Sequence, residues 1–378
     1  MAEVVRFPLE NIEMRSCLDE DGTLRVSLEP VPVDAPADDE VVVRMEGAAV
    51  NPSDLGLMLG GVAADTFRPA GDGSLSAKAP PARIEALQTR VGQSLPVGLE
   101  GMGTVVAAGP AAQALLGKTV GLFGSGTYAR YCKLPASACL VLPDGTPPEH
   151  GAGSFVNPIT VLGMIDTMHR EGHEAMIHTA AASNLGQMLV RICAADGIPL
   201  VNVVRSDEQV RLLKGIGAQF VCNSTAPDFD EALVDAIDRT GATIAFDAIG
   251  GGDLINRLLV AMEKVASAKQ QPYSRYGSTV HKQVYIYGGL DPSPTLLRRD
   301  FGMAWSLGGW LTSHQLATIG VEGVEALKAR IVRELTTTFA SHFSRTLTLE
   351  EMLDPANLVA AGKRATGEKV LLKPNAGG

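Results

Sequence analysis

The pattern of apolar and polar positions changes character once along this chain, near residue 150. Before that point the apolar positions come in short runs cut by Pro, Asp and Gly, first over Thr23–Val33 and then over Asp38–Val50. The alternation in Glu40–Met45 predicts a half-buried antiparallel strand. Further strands are expected at Gly103–Val106, Lys118–Phe123 and Tyr128–Leu134, with Gly and Pro turns between them. Together they predict a β-rich, barrel-like unit. Residues 62–96, rich in Ala, Pro, Gly and Ser, show only a brief helical period near Arg83–Thr89 and are expected to form an inserted excursion on the surface.

After residue 150 compact apolar runs alternate with helical periods. Strands are predicted at Ala175–Thr179, Leu200–Val204, Gln219–Cys222, Thr243–Ala248 and Gln283–Tyr287. Helices are predicted at Leu185–Ala195, Asp207–Ile216, Asp228–Arg239 and Asp253–Ala266, with Asp207 and Asp253 as N-caps. Near-continuous apolar strands alternating with helices mean a parallel sheet covered on both faces. After a long helix around Gly323–Phe339 the tail returns to strands at Phe343–Leu347 and Lys369–Leu372, and is expected to complete the first unit. The fold class is therefore α/β, with a discontinuous β-rich domain at 1–148 and 341–378 and a doubly wound parallel-sheet domain at 149–340.

Composition narrows the partners. A formal charge of −10 argues against a nucleic-acid partner, which a basic face would mark. No apolar run reaches the ~18 residues of a membrane helix, and the N-terminus has no signal-like apolar core. Cys17, Cys132, Cys139, Cys193 and Cys222 are scattered, with no CxxC pair. That spacing fits free thiols in the cytoplasm, and neither a disulfide framework nor a structural zinc lobe is expected.

The turn after the first α/β strand, Ala181-Ala182-Ser183-Asn184-Leu185-Gly186, falls in the frame of GxGxxG but keeps only the last glycine. Small side chains there let the backbone approach a pyrophosphate at a helix N-terminus, with Ser183 and Asn184 as further donors. A tight strand–helix turn that merely needs small residues would read the same way. The second strand ends in Arg205-Ser206. An NAD enzyme places an acid there for the ribose hydroxyls, whereas an Arg is a fork of donors matched to a 2′-phosphate. The alternative for Arg205 is a solvated surface charge. NADPH is the expected cofactor.

Several further segments carry a resemblance: Ala49–Leu55 (AVNPSDL), Gly98–Val106 (GLEGMGTVV), Gly126–Tyr131 (GTYARY), Asn157–Thr160 (NPIT) and Ala180–Arg205. The chain resembles the zinc-independent medium-chain dehydrogenase/reductase superfamily, in its quinone oxidoreductase and enoyl reductase group. The resemblance implies a GroES-like catalytic domain, a Rossmann domain and a cleft between them for the nicotinamide. It implies cofactor contacts from Asn51 and Thr160 near the nicotinamide, and from Ser183, Asn184, Leu185 and Gly186 at the pyrophosphate. Arg205 and Ser206 fall at the 2′-phosphate. The strand ends Ala248-Ile249-Gly250 and Tyr287-Gly288-Gly289-Leu290 match stretches lining the nicotinamide half, and Lys369 matches a C-terminal Lys of the family.

Departures from the family pattern shape the expected chemistry. Zinc-dependent members carry a Cys-His pair where this chain has Pro52-Ser53-Asp54, so no metal is expected. Enoyl reductases carry a Tyr shortly after that stretch, and Leu59-Gly60-Gly61-Val62 has none; Tyr128 is the nearest remaining phenol by motif, a weak catalytic candidate. The expected activity is hydride transfer from NADPH to a quinone or an enone. Enoyl-thioester reduction and a non-enzymatic NADPH-binding role, sensor or structural, are the alternatives. The apolar stretch Met303–Leu311, which holds both tryptophans, is expected at the edge of the Rossmann sheet, where a twofold mate would cover it in a homodimer.

Overall fold

The computed structural model of the chain describes residues 6–363 and 366–376. The chain divides into two units, Met1–Val156 with Lys328–Gly378, and Asn157–Leu327. The expected boundaries at 148 and 341 thus move to 156 and 328. Side chains of the first unit account for both shifts: Glu100 accepts from the amides of Phe155 and Val156, and the Lys328 ammonium donates to the Ser137 carbonyl at 3.1 Å.

The first unit is built on two sheets. One runs in the order Arg68–Pro69, Leu75–Lys78, Thr23–Pro30, Ile12–Leu18, Ser94–Pro96. The other runs Cys139–Val141, Thr119–Phe123, Glu100–Ala108, Glu40–Ala49, Val370–Leu372, Arg345–Leu347, and Tyr131–Pro135 also pairs with Glu40–Ala49. Strand Glu40–Ala49 departs from half burial: Val41, Val42 and Val43 are all inaccessible to solvent. The C-terminal tail returns to lay Leu371 and Leu372 against Ala49 and Ala48, just ahead of Asn51.

The second unit carries a six-stranded parallel sheet in the order Phe220–Asn223, Leu200–Val204, Met176–His178, Ile244–Asp247, Lys282–Ile286, Trp305–Gly309. In chain order this is 3-2-1-4-5-6, the doubly wound Rossmann arrangement, whose switch point lies between Met176–His178 and Ile244–Asp247. All five residues of Leu200–Val204 are buried, as a strand covered on both faces requires. Ser206 rather than Asp207 caps the helix Asp207–Gly215, its hydroxyl accepting from the Gln209 amide. Asp253 does stand at the N-cap of its helix but makes no side-chain cap bond. The long helix expected from Gly323 begins earlier, at Thr312, ends at Arg333 and breaks at Gly320, whose φ is 78°.

Among the described residues the edge strand Trp305–Gly309 pairs only with Lys282–Ile286. Both tryptophans are engaged within the unit. Trp310 is 9% exposed and donates to the Thr167 hydroxyl at 2.9 Å, and Trp305 packs edge-on against Phe301. Flanking them, Met303 and Leu311 remain 75% and 57% exposed. Among the described residues no helix is long and apolar enough to cross a membrane.

The insertion at 62–96 is not a surface excursion. It supplies three strands of the first sheet and buries Phe67 and Leu75 in the core beside Met58 and Leu59. Its Arg90 is buried as well. The guanidinium donates to the Leu57 carbonyl at 2.9 Å and the Ser16 hydroxyl at 2.9 Å, while Ser16 itself donates to the Met58 carbonyl. The insertion thereby grips the last turn of helix Pro52–Leu59, where carbonyls lack helical partners. Removing the guanidinium strands those acceptors away from water. Arg90→Met is expected to lower stability by roughly 2–4 kcal/mol, against within about 0.5 kcal/mol for the exposed Arg83→Met. Chemical denaturation of both variants checks this, and equal effects would contradict the anchoring role.

Candidate functional site

At the C-terminal end of Met176–His178 the backbone turns sharply. Ala180 is held at φ 49°, a left-handed conformation unfavourable for a residue with a Cβ and sustained only where its surroundings impose it. Ser183 caps the helix Asn184–Asp196, its hydroxyl oxygen accepting from the Gly186 amide at 3.1 Å, which leaves the hydroxyl proton for donation. Gly186 is obligatory: a Cβ there would lie 2.1 Å from the Ala181 carbonyl oxygen. The single glycine kept from the GxGxxG frame is therefore the one that lets helix and strand approach.

Arg205 follows the second strand. Its amide donates to the Gln209 side chain at 3.0 Å, and its guanidinium is exposed, with no hydrogen bond or ion pair among the described residues. Ser206 stands beside it at the helix N-terminus. An unpaired fork of donors next to a helix N-terminus suits a phosphate group.

The other expected strand ends come together at the switch point. Asp247 is fully buried; it accepts from the Thr179 hydroxyl at 2.6 Å and from the Gly250 amide at 2.6 Å, fixing the turn Ala248-Ile249-Gly250. The Leu290 amide donates to the Ala248 carbonyl at 3.1 Å, and a Cβ on Gly288 would lie 2.8 Å from that oxygen. Tyr287 is tied to the first strand, its hydroxyl 2.7 Å from Nε2 of His178. Burial pushes the His178 pKa down to about 3, so this imidazole stays neutral. A cleft of about 450 Å³ opens beside these ends, lined by Tyr287, Gly288, Trp310 and His314 among others. Thr160 lies in the same unit, on helix Val156–Arg170, its hydroxyl 3.1 Å from that of Thr312.

In the first unit a buried polar cluster gathers around Glu100, a residue the sequence reading quoted in its motif but did not single out. One carboxylate oxygen accepts from the Asn51 amide side chain at 2.8 Å, and the other accepts from the backbone of Phe155 and Val156 at 3.1 and 2.8 Å. Asp54 accepts from the Asn51 backbone at 2.8 Å as part of the cap of helix Pro52–Leu59. Lys369 completes the cluster: its ammonium is buried, has no hydrogen-bond partner among the described residues and lies 5.4 Å from the centre of the Phe343 ring. Burial lowers its pKa, opposed by the charges of Glu100 and Asp54. The spacing of Asn51, Asp54 and Glu100 within NPSD and GLEG was the available signal for this cluster.

Tyr128 is not poised for proton donation. Its side chain is fully buried, its hydroxyl donates to the Ala49 carbonyl at 3.0 Å, and burial together with Asp54 raises its pKa well above the ordinary phenol value. The weak catalytic assignment is corrected to a structural one. Among the described residues no three His, Cys, Asp or Glu side chains gather as a metal site. Pro52 and Ser53, where zinc ligands would stand, offer no zinc-binding pair. Within the second unit the donor set fits a dinucleotide: the close turn at Gly186 and the Arg205 guanidinium, which is unpaired among the described residues.

Sheet order and turn define a Rossmann dinucleotide-binding unit joined to a GroES-like β-rich unit. The alcohol dehydrogenase GroES-like domain model matches residues 37–144, and the zinc-binding dehydrogenase model matches 185–267. Mouse prostaglandin reductase-3 is 25% identical over 222 residues, covering 58% of this chain and 52% of that protein. The mitochondrial enoyl-[acyl-carrier-protein] reductase of Arabidopsis thaliana is 25% identical over 285 residues, 72% of this chain and 63% of that protein. A solved structure from Mesorhizobium loti, provisionally named an NADPH:quinone reductase, superimposes with a TM-score of 0.72 at 25% identity, covering 97% of this chain and 99% of that one. The chain spans about half the length of the curated relatives it matches first. This chain belongs to the medium-chain dehydrogenase/reductase superfamily.

Burial, outweighing the Asn51 amide that opposes it, pushes the Asp54 pKa up to about 7 from an ordinary 3.8. The unfolded chain releases this proton first, so stability is full below pH 4 and falls as pH rises towards 7, with no further change above. Asp54→Asn keeps an acceptor for the Asn51 amide but cannot ionise. The variant is therefore expected to gain on the wild type between pH 4 and 7, on the order of a few kcal/mol at most. Parallel stability profiles in denaturant titrations across that range would contradict the assignment.

Proposed function

We propose that this chain is an NADPH-dependent reductase that transfers hydride to a quinone or an enone without a metal ion. The observation that carries the reading is Arg205, an exposed guanidinium at the end of the second Rossmann strand with no partner among the described residues. Ser183, Asn184, Leu185 and Gly186 would hold the pyrophosphate, and Ser206 would share the 2′-phosphate with Arg205. Asn51, Thr160 and the strand ends at 248–250 and 287–290 would orient the nicotinamide, with Lys369 as a further cofactor contact. When bound, NADPH supplies the hydride.

The protein's part is then orientation and donors for the oxygen that gains charge. With no Lewis acid, acceptors that spread developing charge by conjugation are favoured. A quinone also needs no dedicated acid where water reaches its oxygen, which suits a site whose Tyr128 is withdrawn into the core. Five unpaired cysteines, four of them buried, support a cytoplasmic setting.

We further infer a twofold dimer formed through strand Trp305–Gly309. Its unpaired edge and the exposed Met303 and Leu311 support this, because symmetric pairing satisfies a strand edge that is otherwise open to aggregation.

The deciding experiment follows NADPH oxidation with quinones, enones and enoyl thioesters, each with and without a chelator. Turnover of quinones or enones, unaffected by chelation, is expected. Turnover restricted to enoyl thioesters would replace the substrate assignment, loss on chelation would overturn the metal-free one, and binding without any turnover would favour a sensor or structural role. Light scattering at micromolar concentration is expected to give about twice the chain mass of 39.6 kDa, and a monodisperse monomer would contradict the dimer.

A further inference from the structure

Two acids follow Arg205 and Ser206, Asp207 and Glu208, both in the first turn of helix Asp207–Gly215. A carboxylate so close to a phosphate-binding Arg is a hazard to selectivity. It can pair with the guanidinium, it repels a 2′-phosphate, and it accepts hydrogen bonds from unphosphorylated ribose hydroxyls as NAD enzymes require.

Asp207, however, is already held from the neighbouring strand. Nδ2 of Asn223, the last residue of Phe220–Asn223, donates to its Oδ1 at 2.9 Å. The orientation of that amide is fixed from behind. The Asn223 side-chain oxygen accepts from the Thr225 amide at 3.1 Å and from the Thr225 hydroxyl at 2.9 Å, so only its NH₂ can face Asp207. The same segment steadies Arg205. Val204 and Asn223 are parallel partners, and the Ser224 amide donates to the Val204 carbonyl at 2.7 Å. The Thr225 hydroxyl also lies 3.4 Å from the Arg205 carbonyl.

We propose that Asn223 is a positioning residue for cofactor selectivity: it engages the Asp207 carboxylate and so leaves Arg205 free for a 2′-phosphate. The inference rests on the reading of Arg205 as the 2′-phosphate ligand. Thr225 acts through Asn223, by orienting its amide. No contact from Asn223 to the cofactor is required.

Calorimetric binding of 2′,5′-ADP and of ADP, alongside NADPH and NADH, tests this without turnover. Asn223→Ala is expected to weaken 2′,5′-ADP and NADPH about tenfold, the scale of one charge-assisted contact, while ADP and NADH hold or tighten. Adding Asp207→Asn in that background is expected to restore the preference, because the released carboxylate is then neutral. Asp207→Asn alone is expected to leave the preference unchanged, since the native carboxylate is already engaged. Thr225→Val, which removes the hydroxyl that orients the Asn223 amide, is expected to weaken 2′,5′-ADP in the same direction, and an unchanged preference there contradicts the role even where Asn223→Ala fails to fold. If Asn223→Ala keeps the preference, or the double variant fails to restore it, Asn223 has no such role. If Arg205→Ala weakens both nucleotide classes equally, the reading of Arg205 itself is lost, an outcome distinct from failure at Asn223.

Discussion

The first unit depends on one buried carboxylate. Glu100 is inaccessible to solvent and satisfies its charge with three N–H donors, one from Asn51 and two from the backbone of Phe155 and Val156. A buried charge is tolerable only with such a complement of partners. Each partner comes from a segment that would otherwise be a loose loop: the cap of helix Pro52–Leu59 and the start of helix Val156–Arg170. The backbone amides at the second of these are also the positive end of a helix dipole, where an anion is favoured. Burial is the main cause of the shifts at Asp54 and Lys369, and the Glu100 charge reinforces the first and opposes the second. Replacing Glu100 by an apolar residue would orphan three donors at once and release both segments together.

The second unit uses the opposite device, a cation left without a partner among the described residues. Several arginines of this unit are paired, as Arg257 is with Asp230 and Arg170 with Asp166. Arg205 is not, although Asp207 lies two residues away, and the Asn223 amide accounts for that. On the proposed reading, selectivity for a phosphorylated ribose depends as much on holding an acid aside as on supplying a base.

Much of this was legible in the sequence. The buried strand Leu200–Val204 could be read from its apolar run, and the turn at Ala181–Gly186 from its small residues and its place between strand and helix. The end of the second strand in Arg205 followed from the same register. What was not legible depended on contacts distant in the chain. Residues 62–96 show no alternating period, and only one short helical one, because their strands are two to four residues long, yet the buried Arg90 reaches Leu57 and Ser16. Glu100 reads as one more charge in a glycine-rich strand until Phe155 and Asn51 are brought to it. Tyr128 offered a phenol in a suggestive motif, and only burial against Ala49 shows it to be structural. The cap of helix Asp207–Gly215 was misplaced by one residue because Ser206 and Asp207 are both strong N-cap types.

The central claim is that this chain moves hydride directly from a nicotinamide to a conjugated acceptor. Isotope transfer tests it most directly, using NADPH deuterated at the transferable C4 position and an enone as acceptor. The account predicts one deuterium on the β-carbon of the saturated product, from one face of the nicotinamide only. Turnover that yields product without deuterium would mean the electrons travel by another carrier, and the account would be wrong.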